Sequence, residues 1–579
     1  MASLQPRTTK GHKYWSIVES RRVNGKPTPF IVQYLGTADA LLKRLNSTAE
    51  DFTYKSYSHG SVVALLDIAA KIGVPDIINQ HIDSQRPYIA DKPLRNDFTA
   101  GMTLLLAAIG RVCKPTSKDG WWDWAQTTSL EYLLKVSLNK LDSSHYWDMM
   151  DSLPVENIEK IEVELLQRIK QEYNLESDTL LFDTTNFFTY ISSTNAHCEI
   201  AKRGKNKQRR YDLRQFGLAL VVTKKDNIPI FHHTYEGNMN DTKVFDNVIG
   251  KIKKRLVDLD FDLNKHTIVF DRGNNSKKNL ALLKELELFY VGALTPYHHK
   301  ELLERANDNF ETVMVKNNEI QVYREKSVIW DGERTILVTI SEKLRAGQLR
   351  GIYQALSKKE KQLQKLAEAL DSPRAKKRDR EKLEEKLKKI AKGQFLSGII
   401  DWTLTEKSEG KFKLIYTISK ERIAAIEEEL GFRILMTNRH SWDSSDIIDA
   451  YHSQAAVEAS FKDLKNPFNL AVRPQYHWTD QKMKVHNFIC VMGYQLATIL
   501  RSEAREKAGF TGSMQTLLTT FNNIRLALVF EKKKKKNGNR KVTYKLEELS
   551  KKEEKLMSSL GLQKLHKRKI KIGGVGVYK

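Results

Sequence analysis

The chain has 579 residues, of which 40% are hydrophobic and 29% are charged. This length exceeds what one hydrophobic core supports, so we expect several domains, and no apolar run approaches the ~18 residues that span a bilayer. With 96 Lys and Arg against 71 Asp and Glu, the net charge is +25. Such a balance favours a polyanionic partner, most often a nucleic acid, although very soluble or ribosome-associated proteins share it.

The N-terminus is polar and lacks the apolar stretch of a signal peptide. The cysteines Cys113, Cys198 and Cys490 are scattered, so they predict neither a zinc site nor a disulfide framework. We therefore expect a cytoplasmic protein, associated with the prokaryotic nucleoid and with no membrane partner.

The N-terminal half begins with a predicted β-hairpin over residues 12–36, because two apolar runs flank the turn signal Asn24-Gly25. Residues 61–82 predict helix, turn and helix, which is either a DNA-reading motif or, more often, an αα-corner. Helices continue to about residue 175. Both regions, 1–60 and 61–175, are predicted to bind DNA.

Strands begin at Thr179. The pattern up to residue 297 predicts three strands in a meander, a helix, a strand, a helix and a strand, which is a ribonuclease H-like arrangement. The helix expected next comes only after about 150 residues. The fold class is therefore α/β, a ribonuclease H-like core interrupted by a large mixed β/helical insertion and preceded by a mainly helical DNA-binding region.

The insertion is predicted to contain strands and a charged helical pair, with Leu363, Leu366 and Leu370 on one helix face and Leu383, Leu387 and Ile390 on the returning face. The predicted boundaries are 176–297 for the first part of the core, 298–440 for the insertion, 441–510 for the second part and 511–579 for a basic C-terminal region. That last region contains the lysine run 532–536.

Two predicted strands end in aspartates, Asp183 and Asp271. In the predicted sheet these strands are neighbours, so the two carboxylates meet at one edge and repel each other unless a cation lies between them. Oxygen ligands of this kind suit Mg²⁺ or Mn²⁺, and two ions could support an in-line phosphoryl displacement. Either aspartate alone would be explained equally well by a polar loop.

A third acid lies in residues 451–465, which contain no helix breaker. On a helical wheel Tyr451, Gln454, Glu458, Lys462 and Lys465 fall within roughly 80° of one another, apart from an apolar stripe. An ordinary amphipathic helix would explain the charges but not the aromatic residue in line with them. The pattern indicates a metal-binding carboxylate beside groups that hold phosphates.

These residues carry a family resemblance. Tyr451, Glu458 and Lys465 keep the spacing of the Tyr-(2)-Arg-(3)-Glu-(6)-Lys signature, and Phe182-Asp183-Thr184-Thr185 and Phe270-Asp271-Arg272-Gly273 are similar to the two aspartate motifs. The chain thus resembles DDE transposases of the "insertion sequence four" superfamily, in the branch with a large insertion before the glutamate. Gln454 stands where the signature has arginine, which replaces a charged phosphate donor with a neutral one.

The resemblance implies a transposase that binds terminal inverted repeats, cuts beside them and joins the 3′-OH ends to target DNA. It implies Asp183, Asp271 and Glu458 as catalytic and metal-binding residues, two Mg²⁺ ions (or Mn²⁺), double-stranded DNA as partner and a homodimer in synapsis. A nuclease without strand transfer, or a decayed or domesticated DNA-binding protein, remains the alternative.

Several further residues are predicted to contact DNA. They are Arg272, Arg473, Tyr451, Gln454, Lys462 and Lys465 near the site, and the basic loop Lys202, Arg203, Lys205, Lys207, Arg209 and Arg210. Relatives that form DNA hairpins hold a flipped base with a tryptophan of the insertion. Trp330 and Trp402 lie in that region, but we expect both to be buried core residues.

Overall fold

The computed structural model describes residues 2–9, 11–23, 26–45, 52–83, 98–173, 175, 177–206, 208–307, 309–393, 395–531, 542–567, 570, 572 and 573. It opens with an antiparallel sheet of β1 (Ala2–Thr9), β2 (His12–Val23) and β3 (Lys26–Gly36), followed by α1 (Ala38–Leu45). The pairing of Val23 with Lys26 confirms the predicted hairpin. Its Asn24-Gly25 turn lies outside the described residues.

A helical layer follows. Its members are α2 (Gly60–Ile72), α3 (Val74–Asn79), α4 (Ala100–Cys113), α5 (Trp121–Ala125), α6 (Leu130–Leu134), α7 (Ser143–Asp151) and α8 (Ile158–Tyr173). The long α17 (Asp480–Ala508) packs on α2, α4, α7 and α8. The helices predicted as a region of their own at 61–175 therefore share one hydrophobic core with the segment after the third acid.

The corner between α2 and α3 turns at Gly73, whose φ of +78° suits glycine. Val74, Pro75, Ile77 and Ile78 of α3 are buried. A helix that enters a DNA groove needs an exposed face, so this packing favours the αα-corner.

Nine strands form one mixed sheet. They are β5 (Thr179–Thr189), β6 (Arg214–Thr223), β7 (Pro229–Glu236), β8 (Thr267–Phe270), β9 (Phe289–Leu294), β10 (Glu311–Val315), β11 (Asn318–Ile329), β12 (Gly332–Ile340) and β15 (Phe432–Thr437). Their order is β10-β11-β12-β15-β9-β8-β5-β6-β7. Only β5 with β8 and β8 with β9 are parallel.

Helices α9 (Asp241–Asp258) and α10 (Lys277–Glu285) alternate with β7, β8 and β9, so the predicted order of elements from 179 to 294 is confirmed. After β15 the chain forms α15 (Ser444–His452) and α16 (Ala455–Leu464). The first packs on β8, β9 and β15, and the second packs on β5 and β6.

The stretch predicted as an insertion, 298–440, is divided differently in the structure. After α11 (Lys300–Ala306), strands β10, β11 and β12 extend the main sheet, because β12 pairs with β15 and β15 pairs with β9. A separate core lies within residues 342–430. It is built from α12 (Glu342–Asp371), α13 (Arg380–Ala391), β13 (Ile400–Ser408), β14 (Lys411–Ile418) and α14 (Lys420–Glu428).

The predicted helical pair of this insert is confirmed. Both leucine-rich faces are buried together, and α12 ends at Asp371.

The C-terminal part returns to the beginning of the chain. After α18 (Met514–Asn523), strand β16 (Arg525–Glu531) pairs with both β17 (Val542–Leu546) and β4 (Phe52–Ser58), and α19 (Lys551–Ser559) follows. The lysine run 532–536 lies outside the described residues. Within the described part of the chain, no helix has the length and apolar character to cross a membrane.

Candidate active site

Two aspartates meet at one edge of the main sheet. Asp183 is the fifth residue of β5, and Asp271 directly follows β8. The parallel pairing matches Phe182 with Phe270. The two aspartates are the residues that follow this pair, so they lie at the same level of the neighbouring strands. The expectation that the two strands are neighbours is confirmed. The ladder with β6 holds the backbone of Asp183, and the backbone N–H of Arg272 donates to Oδ1 of Asp271 at 2.7 Å.

The third acid, Glu458, lies in the first turn of α16. Val457, Phe461 and Leu464 are buried and form the predicted apolar stripe, while Glu458 and Lys462 stay exposed. Since α16 packs on β5, this places Glu458 on a helix lying against the strand of Asp183.

The predicted continuous helix over 451–465 is wrong. Helix α15 ends at His452, and α16 begins only at Ala455, after a turn. The Ser453 hydroxyl donates to the carbonyl of Asp449 at 2.6 Å, and the Gln454 amide donates to the carbonyl of Phe182 at 2.7 Å. The Ser453 bond is of the kind that competes with helical backbone bonds, and the Gln454 bond ties the turn to β5. Tyr451 and Glu458 therefore belong to successive helices.

The electrostatics around Asp183 are those of crowded carboxylates. Burial, together with the nearby carboxylates of Asp271, Glu458 and Asp241, raises the pKa of Asp183 to about 7. A backbone hydrogen bond from Thr184 acts in the opposite direction. Because a bound cation would relieve this repulsion, the donors fit a hard divalent ion. As they stand, no three His, Cys, Asp or Glu side chains among the described residues are arranged to hold one ion.

Tyr451 joins the aspartate side of the site. Its hydroxyl lies near the Asp271 carboxylate, and the Arg433 guanidinium lies 5.3 Å from its ring centroid. Burial, with the charge and the hydrogen-bond acceptance of Asp271, raises the pKa of Tyr451 to about 12. Tyr451 therefore stays protonated and can hold the carboxylate in place.

Lys465 and Gln454 contact the strand that carries Asp183. The Lys465 ammonium bonds to the hydroxyl of Thr185 and lies 5.3 Å from the ring centroid of Phe187. Gln454 is 7% exposed, and its amide oxygen has no hydrogen-bond partner among the described residues. Its NH₂ group is bonded to the carbonyl of Phe182. The contact of Gln454 with DNA stays a prediction.

A cleft of about 1240 Å³ opens beside the acids. One wall consists of Asp271, Arg272, Tyr451, Gln454 and Glu458. The other wall includes residues of the separate insert, among them Phe395 and Arg422. The cleft thus brings Asp271, Glu458 and the insert to one space, while Asp183 lies outside its lining.

The Transposase DDE domain family matches residues 176–477, which include all three acids. The chain belongs to the DDE transposase family. No curated protein matches it. Among solved structures, a similar one is the cryo-EM structure of the piggyBac transposase synaptic complex with hairpin DNA, with a TM-score of 0.37 and 10% identity over 80% of this chain and 79% of that chain.

The basic loop of this transposase lies between β5 and β6 and is partly neutralised. Lys202 pairs with Glu236 at 2.8 Å, and Arg210 makes two bonds with Asp212, at 2.9 and 2.7 Å. Arg203 donates to the Ser193 hydroxyl at 2.8 Å.

Lys205 and Arg209 belong to the same loop, and Lys207 lies outside the described residues. Arg272 and Arg473 are exposed. The DNA contacts assigned to all of these residues remain predictions.

The two tryptophans differ from expectation. Trp330 is at the tip of the β11–β12 hairpin and is 37% exposed, so the expectation of a buried core residue is wrong for it. Trp402 is half-buried on β13 and packs against the core of the insert. The hairpin tip leaves no layer above Trp330 to cover it.

One acid of the transposase was missed by sequence reasoning. Asp241 is the first residue of α9, and its Oδ1 accepts the hydroxyl of Thr184 at 2.8 Å. Its sequence signal is that of an ordinary helix start, Asn240-Asp241-Thr242, which says nothing about a neighbour 57 residues earlier.

Proposed function

We propose that this protein is a DNA transposase that binds the terminal inverted repeats of a mobile element, cleaves beside them and joins the freed 3′-OH ends to target DNA. The observation that carries the proposal is the meeting of Asp183, Asp271 and Glu458. Asp183 and Asp271 come from neighbouring parallel strands, and Glu458 lies on a helix packed on the strand of Asp183. Burial, to which the charges of Asp271 and Glu458 add, raises the pKa of Asp183.

In this proposal Asp183, Asp271 and Glu458 hold divalent cations, Mg²⁺ or Mn²⁺. When bound, two such ions activate the attacking oxygen and stabilise the leaving oxygen of an in-line displacement at phosphorus. Tyr451 keeps the carboxylate of Asp271 oriented through its hydroxyl. The packing of α16 on β5 fixes the distance of Glu458 from the two aspartates.

Basic side chains near the carboxylates are assigned to contacts with the phosphates of the DNA. Lys465, bonded to Thr185 two residues after Asp183, is placed to hold a phosphate of the strand being cut. Arg272, Lys462 and Arg473 are exposed in the neighbourhood and supply further phosphate contacts. DNA enters the cleft between the acids and the insert.

The finer family assignment rests on two supports. The order β7-β6-β5-β8-β9, with β5, β8 and β9 parallel, suits a ribonuclease H-like core. The spacing of Tyr451, Glu458 and Lys465 suits the "insertion sequence four" superfamily. Gln454 replaces the signature arginine, and its bond to the Phe182 carbonyl suits a role in holding α16 against β5.

The test is an assay of cleavage and joining with the full-length protein, Mg²⁺ and DNA that contains the sequences flanking the gene. We expect nicks at the repeat ends and covalent products with a target plasmid. Cleavage without joining would favour a ribonuclease H-like nuclease. Specific binding without cleavage would indicate a domesticated or decayed protein. Because two ends must be held together, a homodimer is expected in the cleaving complex.

A further inference from the structure

A fourth carboxylate, Asp241, lies beside residues that closely follow the two aspartates of the proposed metal site. It begins α9, the helix that connects β7 with β8. Its Oδ1 accepts the hydroxyl of Thr184, the residue after Asp183. Its Oδ2 lies 3.7 Å from the position that a Cβ would take on Gly273, two residues after Asp271. The carboxylate of Asp241 thus lies against Thr184 and Gly273, which closely follow the two aspartates in the chain.

The position of Asp241 is fixed from both sides. The neighbouring Thr242 hydroxyl donates to the carbonyl of Gly273 at 3.2 Å. The amide of Asn279 on α10 donates to the carbonyl of Thr242 at 3.2 Å and to that of Asn274 at 2.7 Å. The start of α9 is therefore tied to the turn that follows Asp271, and Asp241 cannot move independently of that turn.

An acid at the start of a helix often serves only the helix, through its dipole or its free N–H groups. Here the cap is provided by another residue, because the side chain of Asn240 accepts the N–H of Lys243 at 3.0 Å. Asp241 does not serve as that cap. Its side chain is exposed and adds negative charge at a place already crowded with acids, which costs stability unless a cation is present.

We propose that Asp241 is a positioning residue of the metal site, whose carboxylate holds a water ligand of the ion bound by Asp183 and Asp271. Mg²⁺ and Mn²⁺ keep several water ligands, and acids that bond such ligands commonly change metal affinity by about 10- to 100-fold. The Thr184 hydroxyl occupies one oxygen of Asp241 and leaves the other oxygen for this role. The inference rests on the proposed function, because it presumes the same metal site.

The experiment is a Mn²⁺ titration of the metal-free, full-length protein, with free Mn²⁺ followed by electron paramagnetic resonance. Asp241→Asn keeps an oxygen that can accept the Thr184 hydroxyl and removes one of the crowded charges, so the metal-free fold should survive with a melting temperature no lower than that of the unaltered protein. We expect its Mn²⁺ affinity to fall about 10- to 100-fold. Asp246→Asn is the matched control, since Asp246 lies on the same helix and pairs with Lys278 instead. Its affinity should equal that of the unaltered protein.

Unchanged Mn²⁺ affinity in Asp241→Asn would overturn this inference and leave the proposed function standing. Absence of Mn²⁺ binding by the unaltered protein would overturn both. If Asp241 only stabilised the helix, its substitution would lower the melting temperature and leave the Mn²⁺ affinity in place, which also contradicts the proposal.

Discussion

A buried acid on a helix against the main sheet and a half-buried acid within that sheet have opposite surroundings. Glu162 of α8 is 5% exposed and bonds to His232, while Arg255 donates to it at 2.8 Å. Burial alone would raise the pKa of Glu162, but the charges and hydrogen bonds of His232 and Arg255 outweigh it and lower the pKa. Asp183 has carboxylates for neighbours, and its pKa is raised to about 7.

The difference separates an acid that completes the fold from acids that need something more. The chain supplies Glu162 with two basic partners, and Arg255 in turn donates to the carbonyl of Ile230 at 2.9 Å. Asp183 is left among like charges at an edge that borders the cleft. An arrangement that costs folding energy and persists is a functional candidate.

The largest effect is expected for Glu458→Gln, which tests whether the unpaired acids serve catalysis. The change keeps the shape and removes one charged donor, so cleavage should fall by roughly 10³-fold or more while folding and DNA binding persist. The assay is Mg²⁺-dependent cleavage, with binding and thermal unfolding measured in parallel. Glu421→Gln, on an exposed turn of the insert, is the control. Near-normal cleavage by the Glu458 variant would remove the third acid and the DDE mechanism with it.

The paired acid should behave in the reverse manner. Glu162→Gln leaves the buried guanidinium of Arg255 without its carboxylate, so we expect the unfolding free energy to fall by about 3–5 kcal/mol. Denaturant unfolding measures it. The control is Glu159→Gln on the same helix, whose exposed pair with Lys254 should contribute less than about 1 kcal/mol. Equal decreases in the two variants would show that the buried network is no more important than surface charge.

Asp183→Asn tests the raised pKa. Below pH 3.8 the carboxyl is protonated in both the folded and the unfolded chain, so its stabilising effect is complete there. This effect is lost as the pH rises through about 7. Without metal, the variant should therefore match the unaltered protein at pH 3.8 and exceed it by roughly 2–4 kcal/mol at pH 8. Unfolding measured across this range gives the difference, and a constant gap would contradict the raised pKa.

The smallest effect concerns the basic loop, where pairing again distinguishes residues. In the described part of the chain, Arg203, Lys205 and Arg209 have no carboxylate within ion-pair distance, unlike Lys202 and Arg210. Neutralising the three unpaired residues should reduce the slope of log K against log salt by about 0.9 for each DNA phosphate that the loop no longer neutralises. Neutralising the other two should reduce it less. DNA binding measured at several salt concentrations decides, and an unchanged slope in both variants would exclude the loop from the interface.

The sequence was sufficient wherever a short pattern decides the structure. Asp183 and Asp271 end apolar runs, and Val457, Phe461 and Leu464 repeat with helical spacing, so local periodicity located the two strands and the buried face of α16. The insert's helical pair was found for the same reason.

Contacts between distant residues were beyond such reasoning. The turn at Gln454 is tied to β5 by a bond to Phe182, 272 residues earlier. Strands β12 and β15 lie on either side of the insert in the chain and pair with each other. Nothing in the sequence of either strand predicts this pairing. Asp241 follows β7 closely in the chain, and β7 is held in the same sheet as β5 by the strand between them, β6. Its contact with Thr184 depends on this arrangement of the sheet.

The pairing of β4 with β16 has a consequence for synthesis on the ribosome. Within the described residues, the strand that pairs with residues 52–58 is β16, so this pairing cannot form until residues 525–531 have been translated. The packing of the nearby helix α2 is likewise completed late, because its Gly60 lies against the carbonyl of Phe521. A nascent chain therefore carries an uncovered strand and apolar helices for most of its translation. Products that stop before residue 525 should be prone to aggregation and proteolysis.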